Sequence, residues 1–132
     1  MSLFALSDTH LSLSTDKPMD IFGSRWQQHD KRISEAWTET VGDGDTVVIA
    51  GDISWAMSMD DALTDLAYLD RLPGRKLIGR GNHDYWWGTV NKMKKFFVEQ
   101  HGLSTLEFLY NNAFEVGEFI VCGSRGWWGG EG

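Results

Sequence analysis

At 132 residues the chain has room for one domain, able to bury roughly two-thirds of the surface its unfolded form exposes. Its 42% apolar and 23% charged content excludes a disordered chain. The net charge of −7 argues against a nucleic-acid backbone or an anionic membrane as the main partner.

The run Leu3 to Leu6 is apolar and opens into Ser7-Asp8, which predicts a buried strand. It is too short and uncharged for a secretory leader, and no stretch approaches the ~20 apolar residues of a bilayer span. A polar loop follows through Lys17-Pro18. Apolar residues then recur at Trp26, Ile33, Trp37 and Val41, the stripe of an amphipathic helix that Gly42-Asp43-Gly44-Asp45 stops. Asp43 and Asp45 hint at a calcium loop, but the rest of that pattern is missing and a turn is expected. Thr46 to Ala50 is β-branched and continuous, as in a strand covered on both faces.

Ser58 with Asp61 resembles a capping box and starts a second helix, whose inward stripe is Met59, Ala62, Leu63, Leu66 and Leu69. Pro73-Gly74 ends it. Lys76-Leu77-Ile78 is a third strand. Gly88 to Gln100 forms a third helix with Val90, Met93 and Phe97 on one face and Lys92, Lys94 and Lys95 on another. Beyond Gly102 the pattern turns β-like, with Thr105 to Tyr110, a turn at Asn111-Asn112, then Ala113 to Val116 and Phe119 to Cys122. The lone Cys122 excludes an internal disulfide, reads as a buried strand thiol and fits a reducing, cytoplasmic compartment. Strand alternating with helix predicts an α/β fold with a mostly parallel sheet. Ser124 to Gly132 ends in adjacent tryptophans with nothing to pack on, so a chain cut mid-domain after residue 132 is expected rather than a natural tail.

Three polar strings follow directly on predicted strands: Asp8-Thr9-His10, Gly51-Asp52 and Gly81-Asn82-His83-Asp84. In parallel sheets, sites form beyond the carboxyl ends of strands. Asp8 and His10 are two apart, so an extended backbone would send both side chains the same way, toward one ion. Asp52 on the neighbouring strand end can bridge two ions, and Asn82 offers a neutral oxygen. Oxygen and imidazole donors without thiolates point to Mn, Fe, Zn or Mg. Two divalent ions about 3.5–4 Å apart can activate water and polarise a phosphoryl group. His83 is placed to donate a proton to a leaving oxygen, and Asp84 to hold that ring in orientation. Each string alone is also an ordinary turn or cap. Their order at three strand ends selects the site.

As a set these strings resemble the first three signature blocks of the calcineurin-like metallophosphoesterase superfamily. Gly51-Asp52-Ile53-Ser54-Trp55-Ala56 and Gly81 to Trp87 further resemble a bacterial group of predicted phosphohydrolases. The resemblance covers essentially the whole chain and implies a layered β-sandwich of mixed sheets flanked by helices, incomplete at the C-terminus. It implies a binuclear-metal-dependent phosphoester hydrolase in which metal-bound hydroxide attacks phosphorus. Asp8 and His10 would then bind one metal, Asp52 bridge, Asn82 bind the other, and His83 with Asp84 assist the leaving group of a phosphorylated small molecule. The family's later histidine and Gly-His-x-His block have no counterpart after His83, so little or no activity is expected of this chain by itself. The alternative is a non-catalytic interaction module that keeps the fold.

His29 and His101 match no family position and read as structural or solvated. Of seven tryptophans, Trp55, Trp86, Trp87, Trp127 and Trp128 follow the motif loops, where packing and water exclusion are expected ahead of substrate stacking. Arg80 and Arg125 could meet phosphate oxygens but read first as surface arginines.

Overall fold

The computed structural model describes residues 1–13 and 29–124. Trp26, Arg125 and the terminal tryptophans lie outside these residues. Four parallel strands, β1 (Leu3–Leu6), β2 (Thr46–Ile49), β3 (Arg75–Gly79) and β4 (Leu106–Leu109), stand side by side in chain order. Helix α1 (His29–Thr40) joins the first pair and α2 (Met59–Arg71) the second. The third connection is α3 (Val90–Met93), which runs on into α4 (Lys94–Gln100), a π-helical stretch. A separate antiparallel hairpin, β5 (Asn112–Val116) and β6 (Phe119–Gly123), follows.

The register explains how apolar periodicity becomes a core. Phe4, Val47 and Lys76 lie across from one another, as do Leu6, Ile49 and Ile78, so these residues share one face of the sheet. Val47, Ile49, Ile78, Leu106 and Phe108 from that face form one buried cluster with Trp37, Leu66, Leu69, Met93 and Phe97 from the helices. The expected stripes are thus the packed ones. Ser58 caps α2 by accepting from Asp61 N at 3.2 Å. Asp45 closes the turn before β2, where Gly42 N donates to its carboxylate at 2.9 Å. Cys122 departs from expectation. It lies on β6, in the two-stranded hairpin, and is exposed.

Lys76 is the polar exception within the core face, with no exposed surface. Its Nζ donates to the Asp70 and Leu72 carbonyls and to Thr105 Oγ1, satisfying the orphan carbonyls that end α2. Burial pushes its pKa down to about 8 from 10.5, against the pull of Asp70 and Asp43. Between those values the folded chain has shed a proton that the unfolded chain keeps. Stability from this group is therefore fully present above the unfolded pKa and is lost as pH falls through about 8. The urea midpoint of the wild type, measured against that of Lys76→Met, should rise between pH 7 and 9.5. A pH-independent difference would show that the ammonium holds its proton throughout.

Candidate metal centre

The loops leaving β1, β2 and β3 meet at the carboxyl edge of the sheet. Asp8 N donates to Gly51 O at 2.9 Å, His10 N to Asp52 O at 3.0 Å and Leu11 N to Ile53 O at 2.8 Å, so the first two loops remain paired beyond their strands. The second and third loops touch backbone to backbone. A Cβ on Gly51, whose φ is +128°, would come within 2.6 Å of Gly81 N, and one on Gly81 would overlap Asp52 N and Oδ1. Glycine is required at both positions by this close approach.

Asp8, His10 and Asp52 each offer a ligand atom, and the three atoms lie within 4.8 Å of one another. The way they converge differs from the sequence expectation. Asp8 (φ 57°), His10 (φ 45°) and Asp52 (φ 50°) all adopt left-handed backbone, not the extended conformation assumed from the Asp-x-His spacing. That conformation is disfavoured by roughly 1–2 kcal/mol for a residue bearing a Cβ. Three instances on three adjacent polar residues are strain held in place by the hydrogen bonds around them, a pattern that clusters at functional sites.

Asn82 joins the same group. One terminal atom of its amide lies 3.2 Å from Asp52 Oδ1 and 3.3 Å from Oδ2. With nitrogen in that place the amide donates to Asp52, whereas with oxygen there several acceptors converge, a donor set that a cation satisfies. Asp52 also accepts from His83 N at 2.9 Å and His83 Nδ1 at 3.0 Å. Burial pushes the Asp52 carboxyl up, but the His83 backbone and ring, with His10 nearby, outweigh it and hold the group below the usual carboxylate range.

Asp84 is not where the sequence placed it. The expected Asp84–His83 contact is absent, and Asp52 meets the ring instead. The Asp84 side chain, 1% exposed, accepts from Ile53 N (2.7 Å), Ser54 N (3.2 Å), Trp86 Nε1 (3.1 Å) and Gly81 N (2.7 Å). It staples the second loop to the third. Burial outweighs these donors and raises its pKa above the usual carboxylate value.

Asp65 on α2 performs the same service for the first and second loops and was not singled out from the sequence. Its carboxylate accepts from Leu13 N at 2.9 Å and Ser54 Oγ at 2.6 Å, and burial raises its pKa. The signal was present: an aspartate lying on the inward face between Ala62 and Leu66–Leu69. His29 begins α1 and its Nε2 lies 3.1 Å from the His10 carbonyl oxygen, supporting the ligand loop rather than standing in solvent. His101 caps the end of α4, with Nδ1 2.8 Å from Phe96 O. Arg80 follows β3 and is half-buried.

The tryptophans divide by position. Trp86 is buried and meets Phe97 edge-on, and Trp87 packs on Phe108 and Tyr110. Trp55 belongs to the site, stacked on His10 at 5.1 Å and 25° and tilted against His83 at 5.4 Å.

Comparison with known proteins bears on this geometry. A family model described as calcineurin-like phosphoesterase matches residues 1–128. Gene 66 protein of Mycobacterium phage L5 is 41% identical over 58 residues, and that of phage D29 is 45% identical over 56. These matches cover 44% and 42% of this chain and 28% of each phage protein, so the chain spans only part of the relatives it resembles. A crystal structure of a protein of unknown function from Aquifex aeolicus superimposes with a TM-score of 0.55 at 21% identity, covering 91% of this chain and 58% of that one. That likeness is one of fold.

Proposed function

The chain belongs to the calcineurin-like phosphoesterase family, and from that premise we propose that the full protein is a binuclear-metal-dependent phosphoester hydrolase acting on a phosphorylated small molecule. The convergence of Asp8, His10 and Asp52 carries the reading. Two carboxylates and an imidazole, with the Asn82 amide against Asp52, suit Mn, Fe, Zn or Mg. Asp8 and His10 would hold one ion, Asp52 bridge and Asn82 face the second. When bound, such ions supply Lewis acidity, polarising a phosphoryl group and making water nucleophilic near neutral pH.

The protein's own residues prepare the rest. Asp52 engages His83 Nδ1, which leaves Nε2 to hand a proton to the departing oxygen. Trp55 braces the His10 and His83 rings together. Asp84 and Asp65 act on the backbone that carries the ligands. The same reading takes the parallel sheet and the hairpin as two layers of a β-sandwich. It also places the protein in the cytoplasm, in keeping with its lone cysteine; among the described residues no helix is long and apolar enough to cross a membrane.

The test is metal analysis of the purified full protein together with hydrolysis of a generic aryl phosphate. Near-stoichiometric metal and chelator-sensitive turnover are expected. His83→Ala should lower turnover by about 10²–10⁴-fold while most of the metal is retained. Absence of both metal and hydrolysis under varied metal supply would favour the interaction module, and an unchanged rate in His83→Ala would remove the proton-donor role.

A further inference from the structure

Among the described residues of the site, Tyr85 is a large aromatic residue displayed to solvent. Its flanking residues are locked in the interior, Asp84 by four hydrogen bonds and Trp86 by burial at 2% exposure, yet Tyr85 itself is 52% exposed. The turn is closed further by Asp84 N donating to Gly81 O and Trp87 N to Asp84 O, both at 3.2 Å. Tyr85 is therefore held outward by anchored neighbours, and no packing need of the core accounts for it. Its ring stands edge-on to the His83 imidazole, with centroids 6.3 Å apart. Trp55 also meets the His83 ring but is engaged in stacking on His10 and is half-buried, whereas Tyr85 is exposed beside His83.

We infer that Tyr85 is a specificity-determining residue that contacts the leaving group, and that the preferred substrates are phosphoesters whose leaving group carries a planar aromatic ring. The inference rests on the proposed role of His83. The oxygen that His83 protonates belongs to the leaving group, so a ring attached to that oxygen lies beside His83, within reach of Tyr85. Tyrosine and a planar ring attract through offset or edge-to-face contact. The phosphoryl group, gripped on the side of Asp8, His10 and Asp52, would not feel the same residue.

The experiment compares kcat/KM for phenyl phosphate and glycerol 2-phosphate in the metal-loaded full protein, in Tyr85→Ala and in Tyr85→Phe. Being exposed, Tyr85 can be replaced without emptying the core. Tyr85→Ala should lower the phenyl phosphate value by up to about tenfold, the upper end for one aromatic pair, and change the glycerol 2-phosphate value far less. Tyr85→Phe should keep the wild-type ratio. As a readout independent of turnover, phenylphosphonate should bind more tightly than methylphosphonate to the wild type, and that preference should vanish in Tyr85→Ala. Turnover with the same ratio in all three proteins would overturn the inference and leave the phosphoesterase reading standing. Neither turnover nor phosphonate binding in metal-loaded wild type would overturn both.

Discussion

Asp52→Asn should leave the full protein folded and deprive it of both metal and turnover. The substitution keeps shape and one acceptor, so the bond from His83 N to Oδ1 can persist and the neighbouring glycines meet no new bulk. What it removes is the negative charge shared among the Asp8, His10 and Asn82 donors. Loss of an outer partner of a metal ligand typically costs 10–100-fold in affinity, and loss of a central ligand should cost more. Metal content by elemental analysis should fall well below one ion per chain, and turnover to that of the chelated wild type. A thermal melt unchanged from that of chelated wild type would show that the loss is of the site and not of the fold. Full metal content in Asp52→Asn would remove Asp52 from the ligand set.

Asp84→Ala should be the most destabilising single change at the site. Its carboxylate takes hydrogen bonds from three backbone N–H groups and an indole, in a position closed to water. Each buried donor left without a partner costs about 1–3 kcal/mol, so a loss of about 4 kcal/mol or more is expected. Asp84→Asn should be milder, near 2 kcal/mol, because one oxygen survives while the new NH₂ confronts a donor. Urea unfolding of the metal-free protein reads this directly, since it removes any contribution from bound ions. If Asp84 worked only by orienting His83, Asp84→Ala would be about as stable as wild type and would match His83→Ala in rate. A large stability loss that His83→Ala does not share is the outcome the hydrogen bonds require.

Much of the architecture was legible in the chain itself. The β-branched run at Thr46–Ile49 and the stripe of Ala62, Leu66 and Leu69 are local patterns, and they became the strand and helix face they resemble. The positions of the polar strings were legible for the same reason, because the strands before them end where apolar periodicity ends. Cys122 was misread because an alternating strand shows its period but not whether a second layer covers it.

Sequence alone determined that Asp8, His10, Asp52, Asn82 and His83 stand beyond three strand ends, since strand length and turn chemistry depend on neighbours along the chain. Tertiary structure alone decided how they face one another. The left-handed backbone at Asp8, His10 and Asp52 is unfavourable by itself and is held by hydrogen bonds that the Asp8, His10 and Leu11 N–H groups donate to the Gly51, Asp52 and Ile53 carbonyls and by the close approach of Gly51 to Gly81. The partners of Asp84 were likewise hidden, because a desolvated carboxylate takes whatever donors the fold delivers, and two of its four come from residues 30 and 31 positions away. Spacing states which side chains can arrive, and burial with long-range hydrogen bonding decides which of them touch.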